Sequence, residues 1–561
     1  MKDNRLSVES GPDTLTDPLL EALEKLGHGS RFLWMIFLLT ITPAVFNGMH
    51  SIIYVFTSEI PEHWCMVPIL KNANWADEEI RDISSVTSCT KYDYDYAKLA
   101  AMGYPAAKQY VKTIPIPAEI PCERRAFGND THSTTIVVEW DLACEALPYR
   151  SSVQTALSLG KLMGGCFFGF FSDKHGRRTT YRIGIITLMI AAPTSAVLPW
   201  YWGFMLMRLL TGIAHAAITY SSFTILCEVA AETHRQWMGI AYNTGYATGL
   251  VFAPIIGWYV TNWRHIYLAT SVPSLVCILH FWYMPESPRW LLTKGRRNEA
   301  RAMMQKALKN TSQDYVIPPD TTEVVRLSRR SSVVHLDELA GKSLHKQMKQ
   351  ALVLVTNPEM GKRLCITNIA WLSASLSYYV LALNADNLHT DRFLYTLVTS
   401  VTDIPAYILP SAILMLFGRR QSTVFLYIIA GLFLLSILTI PTQYTADIAG
   451  ITLLARFLQS AAYGVVILYT SELFPTQTRN SAVGSCSTLS HVGSVAAAYV
   501  VDLLGVVIWW GPTTICGGLA IISGVLISML PETRGRKMVN TVDEELDGER
   551  EVVSLGNMFK C

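Results

Sequence analysis

Asp403 stands about ten residues into an apolar stretch, and no Lys or Arg lies between Leu394 and Gly418 to pair with it locally. A carboxylate at that depth of a bilayer costs about 2.5–3.5 kcal/mol on insertion scales, so a distant partner, water or a cationic solute must compensate it. Trp371 and Tyr378 sit seven apart, two turns along one helix face. With Tyr246 and Tyr407 they supply aromatic surface, which attracts an alkylammonium group by roughly 0.5–2 kcal/mol per ring. Asn243 offers an amide one turn before Tyr246, and His491 a ring that is neutral or charged near physiological pH. This set suits reversible recognition of a small organic solute. It does not suit bond-making: no catalytic triad, phosphate-binding glycine loop or metal-ligand spacing is seen. The chain therefore reads as a non-enzymatic carrier without cofactor or metal.

A second set of charges recurs. Glu228 to Arg235 is mirrored by Glu472 to Arg479, Gly176-Arg177-Arg178 by Gly418-Arg419-Arg420, Pro285-Glu286-Ser287 by Pro531-Glu532-Thr533, and Arg208 by Arg456. The offsets run from 242 to 248 residues. Near-constant spacing across several loop types indicates two halves of the same orientation, the parallel repeat of a secondary transporter, with a site expected between the halves near the midplane. Asp173, Arg177, Arg178, Arg208, Glu228, Arg235, Arg456, Glu472 and Arg479 read as a latch that pairs across helix ends and breaks when the halves rock. Met415 stands where the second half would repeat Asp173, so its latch should be weaker.

The elements that must position these residues follow from composition. Of 561 residues, 50% are hydrophobic and 16% charged, too little charge to coat several soluble cores. A net charge of +2 gives no reason to expect nucleic acid. The apolar residues bunch into twelve helix-length runs: 32–54, 152–171, 180–200, 203–226, 237–259, 263–284, 364–384, 393–415, 422–441, 447–469, 481–503 and 507–529. The expected fold is an all-α membrane protein: two six-helix halves (32–284 and 364–529), cytosolic ends 1–31 and 530–561, a cytosolic loop 285–363, and the lipid bilayer as solvent. Residues 1–30 show no cleavable signal, and the basic loops fall on one side, the cytosol. Segment 55–151 then lies outside. It holds Cys65, Cys89, Cys122 and Cys144, which imply two disulfides in one of three connectivities, and the glycosylation sequon Asn129-Asp130-Thr131. A second sequon at Asn310, the basic Arg329-Arg330-Ser331-Ser332 run and amphipathic stretches near 295–309 and 337–352 fall in the cytosolic loop.

Gly169-Phe-Phe-Ser-Asp173-Lys-His-Gly176-Arg177-Arg178 resembles the loop signature of the major facilitator superfamily. Pro285-Glu-Ser-Pro288-Arg289-Trp290-Leu291 looks like the hallmark of its sugar-porter and organic-ion branches. Pro61-Glu-His63-Trp-Cys65, Glu139-Trp140-Asp141-Leu142-Ala-Cys144-Glu145, Tyr469-Thr-Ser-Glu472-Leu-Phe-Pro475-Thr-Gln-Thr-Arg479-Asn480 and the opening Leu23-Glu-Lys-Leu-Gly27-His-Gly29-Ser-Arg31-Phe32 are similar to the organic cation, anion and zwitterion transporter family. The resemblance covers residues 18 to 537 and implies polyspecific alternating access with a large glycosylated first outer loop, in the plasma membrane. Anion carriers of that family follow the acid at Asp403 with a lysine four residues on, where this chain has Tyr407. They place an arginine, and cation carriers an aspartate, where this chain has His491. The resemblance thus implies organic cations or zwitterions, such as amine, carnitine-like or carcinine-like solutes. An organic anion carrier, or a receptor or scaffold on the same fold, are the alternatives. A cation would be driven inward by the membrane potential, whereas a zwitterion needs a coupling ion or its own gradient.

Overall fold

The computed structural model describes residues 18–128, 134–309, 317, 354, 356–388 and 390–534. Twelve long helical segments carry it: α1 (Arg31–Ile52), α2 (Leu147–His175), α3 (Arg177–Ser195), α4 (Tyr201–Val229), α5 (Glu232–Tyr259), α6 (Trp263–Tyr283, with a 3-10 turn over Val272–Leu279), α7 (Pro358–Leu383), α8 (Arg392–Leu416), α9 (Arg419–Ser436), α10 (Thr445–Leu473), α11 (Thr476–Tyr499) and α12 (Gly511–Ser528). Eight of them, α1, α4, α6, α7 and α9 to α12, are long and apolar enough to cross a membrane. α2 is not among the eight: it carries Arg150, Lys161, Asp173 and Lys174 along its length. Leu38, Phe167, Ile190, Phe425 and Ile522 remain exposed, as residues facing lipid tails should.

Local signals set the helix starts. Ser30 Oγ accepts the Leu33 N–H at 3.1 Å and caps α1. Asn357 Oδ1 caps α7 through the N–H groups of Glu359 and Met360, and Asp391 caps α8 through Phe393 and Leu394. Gly176, at φ +103°, turns the chain from α2 into α3, a backbone conformation that L side chains rarely adopt.

Glycines also set how closely the helices of the first half approach. A Cβ on Gly160 of α2 would lie 2.2 Å from the Leu209 carbonyl oxygen, and one on Gly212 of α4 the same distance from that of Leu157. Gly48 of α1 and Gly249 of α5 repeat the arrangement, with would-be contacts of 2.1 and 1.9 Å to the carbonyl oxygens of Tyr246 and Val45. In a membrane such small-residue seams replace hydrophobic exclusion as the means of holding helices together.

Two faces flank the bundle. On one, helices Pro18–Gly27 and Arg297–Lys309 pack together through Leu19, Leu26, Met304 and Leu308, with Trp290 and Leu291 in the same core. On the other, the segment after α1 forms two small antiparallel pairs, His63–Cys65 with Arg125–Phe127 and Thr90–Tyr92 with Glu119–Pro121. Disulfides Cys65–Cys122 and Cys89–Cys144 staple it. Of the three possible connectivities, this is the one the structure holds. Asn129, Asn310, Arg329 to Ser332 and the 337–352 stretch lie outside the described residues.

Candidate functional site

The group around Asp403 forms where α7, α8 and α10 meet. Asp403 is fully buried and its carboxylate is fully engaged. Oδ2 accepts from Arg456 Nη2 at 2.8 Å and from the Tyr378 hydroxyl at 2.9 Å, while Oδ1 accepts from Ser460 Oγ at 2.9 Å. Arg456 also donates to the Tyr378 carbonyl at 2.7 Å and lies 4.4 Å from the Tyr378 ring centroid. Two corrections follow. The carboxylate is not left for a solute to neutralise, because an arginine 53 positions on, on another helix, already does so. And Arg456, read from the repeat as a latch residue, sits with Asp403 instead of with the charges at the helix ends.

Trp371 is buried, donates Nε1–H to Thr470 Oγ1 at 2.9 Å and meets Tyr463 edge-on at 5.8 Å. Tyr378 meets Tyr379 at 5.3 Å. Tyr407 is half-buried and interacts with Tyr378 and Asp403. Tyr246 of α5 brings the first half to this wall through Tyr379 and the charge of Asp403. Asn243 is not drawn in: it is exposed, and its amide reaches only the Gly239 carbonyl of its own helix, at 3.5 Å. His491 of α11 sits opposite Tyr220 of α4, with Nε2 and the hydroxyl 3.3 Å apart.

Arg208 is also away from the helix-end charges. It is buried in the first half, where its guanidinium reaches the His50 carbonyl and Gln154 Oε1 at 3.5 Å each and stands 5.4 Å from the Tyr267 ring. His50 and His215 face each other at 3.0 Å beside it. Lys161, midway along α2, was missed from the sequence. Its Nζ donates to Ser51 Oγ at 2.6 Å, lies 5.9 Å from the Tyr246 ring, and its charge reaches His491. The signal was available, since none of the six apolar runs before residue 285 contains Asp or Glu, and Lys161 stands at the centre of the second of them.

At the face of helix Arg297–Lys309 the repeated motifs do recur in space. Arg177 pairs with Glu228 at 3.1 Å and with Asp173 at 3.0 Å, and Arg419 pairs with Glu472 at 3.1 Å. Each of these pairs lies within one half. Arg235 turns back to the Ala230 carbonyl at 3.0 Å, leaving Glu228 to Arg177. Arg178 contributes its backbone N–H to Glu286, and Arg479 lies at the start of α11. Glu286 and Glu532, not singled out from sequence, cap the helices that begin with the repeated arginines. Glu286 Oε1 accepts the N–H groups of Arg177, Arg178 and Ser287. Glu532 accepts those of Arg419, Arg420, Thr533 and Arg534. Gly176 and Gly418 make room: a Cβ there would stand 2.4 and 2.3 Å from the Glu286 and Glu532 carboxylates. Burial pushes the Glu532 carboxyl up, but the backbone N–H donors outweigh it and its pKa falls below the usual glutamate value. A carboxylate held so adds stability above its unfolded pKa and loses it as pH falls through the lowered folded value. Glu532→Gln is therefore expected to lower the melting temperature at pH 7, with the gap to wild type closing in acid. An equal gap at pH 7 and at pH 4 by thermal unfolding in detergent would count against the capping role.

The opposite face carries ion pairs that do join the halves. Arg150 of α2 pairs with Asp502, just beyond α11, at 2.9 Å, with both side chains under a tenth exposed. Asp502 also accepts from Ser151 at 2.7 Å and from the Tyr54 hydroxyl, and Arg150 Nε donates to the Ser58 carbonyl at 2.6 Å. Glu59, beyond α1, pairs with Arg392 at the start of α8. Nearby, His63, Cys89 and Cys144 present ligand atoms within 4.8 Å of one another. The two sulfurs are bonded to each other, so they offer no thiolate to a metal.

Long apolar helices packed around buried charge give this membrane protein the major facilitator fold. The inward-open xylose transporter XylE of E. coli shares that fold, with a TM-score of 0.57 over 90% of this chain and 98% of that one at 14% identity. The family described as "Sugar (and other) transporter" matches residues 86–542, and the chain belongs to it. It is similar to the organic cation transporter protein of Drosophila melanogaster, 26% identical over 94% of both chains. It is also similar to organic cation/carnitine transporter 2 of Homo sapiens, 28% identical over 93% of this chain and 92% of that one. It is thus a multi-pass membrane transporter of small organic solutes, not an enzyme.

Proposed function

We propose that this protein crosses the plasma membrane twelve times with both ends in the cytosol, carries glycan at Asn129, and moves organic solutes bearing an ammonium group by alternating access, zwitterions ahead of simple cations. The observation that carries the choice is the charge balance of the buried residues. Asp403 is cancelled by Arg456, whereas Lys161 and Arg208 have no ion-pair partner among the described residues. A bare cation gains the aromatic wall of Trp371, Tyr378 and Tyr246 but is repelled by these two charges. A zwitterion gains the same wall and brings a carboxylate of its own. The names of the relatives, organic cation and organic cation/carnitine transporter, agree with an ammonium-bearing solute. The uncancelled positive charge also favours a second reading, an organic anion carrier. The charge pairs at the helix ends beside Arg297–Lys309 are then rearranged, not created, as the halves rock.

Side-by-side uptake of L-carnitine, tetraethylammonium and p-aminohippurate in cells separates these readings. L-carnitine uptake is expected to exceed each of the others at least tenfold, and depolarisation should leave it unchanged unless an ion is coupled, because a zwitterion has no net charge to drive. Tetraethylammonium uptake without L-carnitine uptake would overturn the choice; p-aminohippurate uptake alone would establish the anion carrier.

A further inference from the structure

We propose that Lys161 holds the solute carboxylate, with Ser51 beside it, and so forms an anion subsite on the first half that faces the aromatic wall on the second. The inference rests on the zwitterion reading above and names the group that would make it work.

Four observations converge on this lysine. Its ammonium is at the middle of a 29-residue helix, as far from either end as α2 allows. Such a charge persists in a membrane only where a partner, a hydrogen-bond network or a water-filled cavity receives it. Yet its one hydrogen bond among the described residues goes to a neutral hydroxyl, Ser51 Oγ, at 2.6 Å. An ammonium has three N–H donors, so two remain for a ligand.

The lysine is also placed between the halves. Ser51 belongs to α1 and Tyr246 to α5, both in the first half, while His491 on α11 belongs to the second and feels the Lys161 charge. Tyr220, hydrogen-bonded to His491, has 38% of its surface open. The ammonium is therefore at the junction that must open and close, not sealed inside one bundle as Arg208 is.

Its helix is closely packed. The residue before it, Gly160, has no room for a Cβ against the Leu209 carbonyl oxygen, and Gly212 of α4 none against that of Leu157, so α2 lies directly against α4 where it carries Lys161.

Finally, the aromatic wall lies close by. Tyr246, 5.9 Å from the Lys161 ammonium, also interacts with Tyr379 and with the charge of Asp403. A solute whose carboxylate reached Lys161 would lay its ammonium end toward Tyr378 and Trp371. A short amino acid betaine brings a carboxylate for Lys161 and an ammonium for that wall; a carboxylate-free amine leaves Lys161 unanswered.

The test uses the full-length chain and matched solutes that differ by the carboxylate: L-carnitine and γ-butyrobetaine against choline and tetraethylammonium. Lys161→Met is expected to cut uptake of the carboxylate-bearing pair at least tenfold, chiefly through KM, and to leave uptake of the other pair equal or higher. Lys161→Arg should restore most of the loss. Surface biotinylation and melting temperature check that Lys161→Met folds and reaches the membrane. If wild type carries L-carnitine or γ-butyrobetaine and Lys161→Met carries them equally well, the lysine assignment is overturned and the zwitterion reading stands. If wild type neither transports nor is thermally stabilised by either of them, both are overturned.

Discussion

Asp403→Asn is expected to abolish uptake of every solute, whatever its charge, and to lower the amount of protein at the cell surface. The substitution leaves Arg456 buried without its counter-ion, and breaking a buried pair from one side typically costs about 3–5 kcal/mol. Arg456 also holds the Tyr378 carbonyl and lies 4.4 Å from its ring, so the error spreads into the aromatic wall. Arg456→Gln should fail in the same way, by leaving the carboxylate stranded. The double variant Asp403→Asn/Arg456→Gln is expected to regain surface expression and melting temperature without regaining uptake, and the cycle should show strong coupling. Normal surface level and full uptake by Asp403→Asn alone would show that the pair is dispensable. Uptake lost for cations but kept for zwitterions would return Asp403 to the role of a substrate counter-ion.

The second large effect is expected at Asp502. It takes Arg150, Ser151 and Tyr54 from the first half, all on the face where Glu59 and Arg392 make the other cross-link. The structure therefore holds the halves together on the face of the disulfide-stapled segment, while the pairs at the other face stay inside each half. Asp502→Asn with Glu59→Gln should shift the population toward carriers open on the stapled face. Removing about 3 kcal/mol from one of two states changes their ratio by about a hundredfold. Thr155, whose hydroxyl now bonds the Val495 carbonyl across the halves, is a suitable reporter. A cysteine there, with Cys166 and Cys365 made serine, should react at least tenfold faster with an impermeant thiol reagent once the two pairs are removed. An unchanged rate would mean that packing alone, such as the stacked Phe56 and Phe393 rings, keeps that face closed.

Much of this was readable beforehand, and the exceptions share a cause. The all-helical membrane fold follows from the apolar runs, because these are properties of the chain taken one stretch at a time. Asp403 stood out for the same reason. Its partner did not: Arg456 is on another helix, and no window along α8 contains it. Glu228 and Arg235 recur together in the repeat, but α4 ends at Val229 and Arg235 turns back to the Ala230 carbonyl, so Glu228 takes Arg177 from α3. Glu286 and Glu532 were seen as parts of a motif, and their work as caps needs the start of a helix over 100 residues away. Lys161 is a different case. Its charge lies outside the repeat and has no counterpart in the second half.

That lack of symmetry has an electrical side. Away from their ends, the six apolar runs of the first half hold Lys161 and Arg208 with no acid among them, while Asp403 and Arg456 cancel. Fixed charge inside a membrane couples to the voltage across it, at about 2.3 kcal/mol per elementary charge and 100 mV for passage through the whole field. In the alternating access proposed above, the water-filled side of the molecule switches with each change of face. The voltage drop then concentrates on the opposite side of those two cations. The empty carrier thus moves charge relative to the field without any solute or ion crossing, and its resting distribution between the two faces becomes a function of membrane potential. A carboxylate arriving at Lys161 screens that charge and changes how strongly the membrane potential sets the balance.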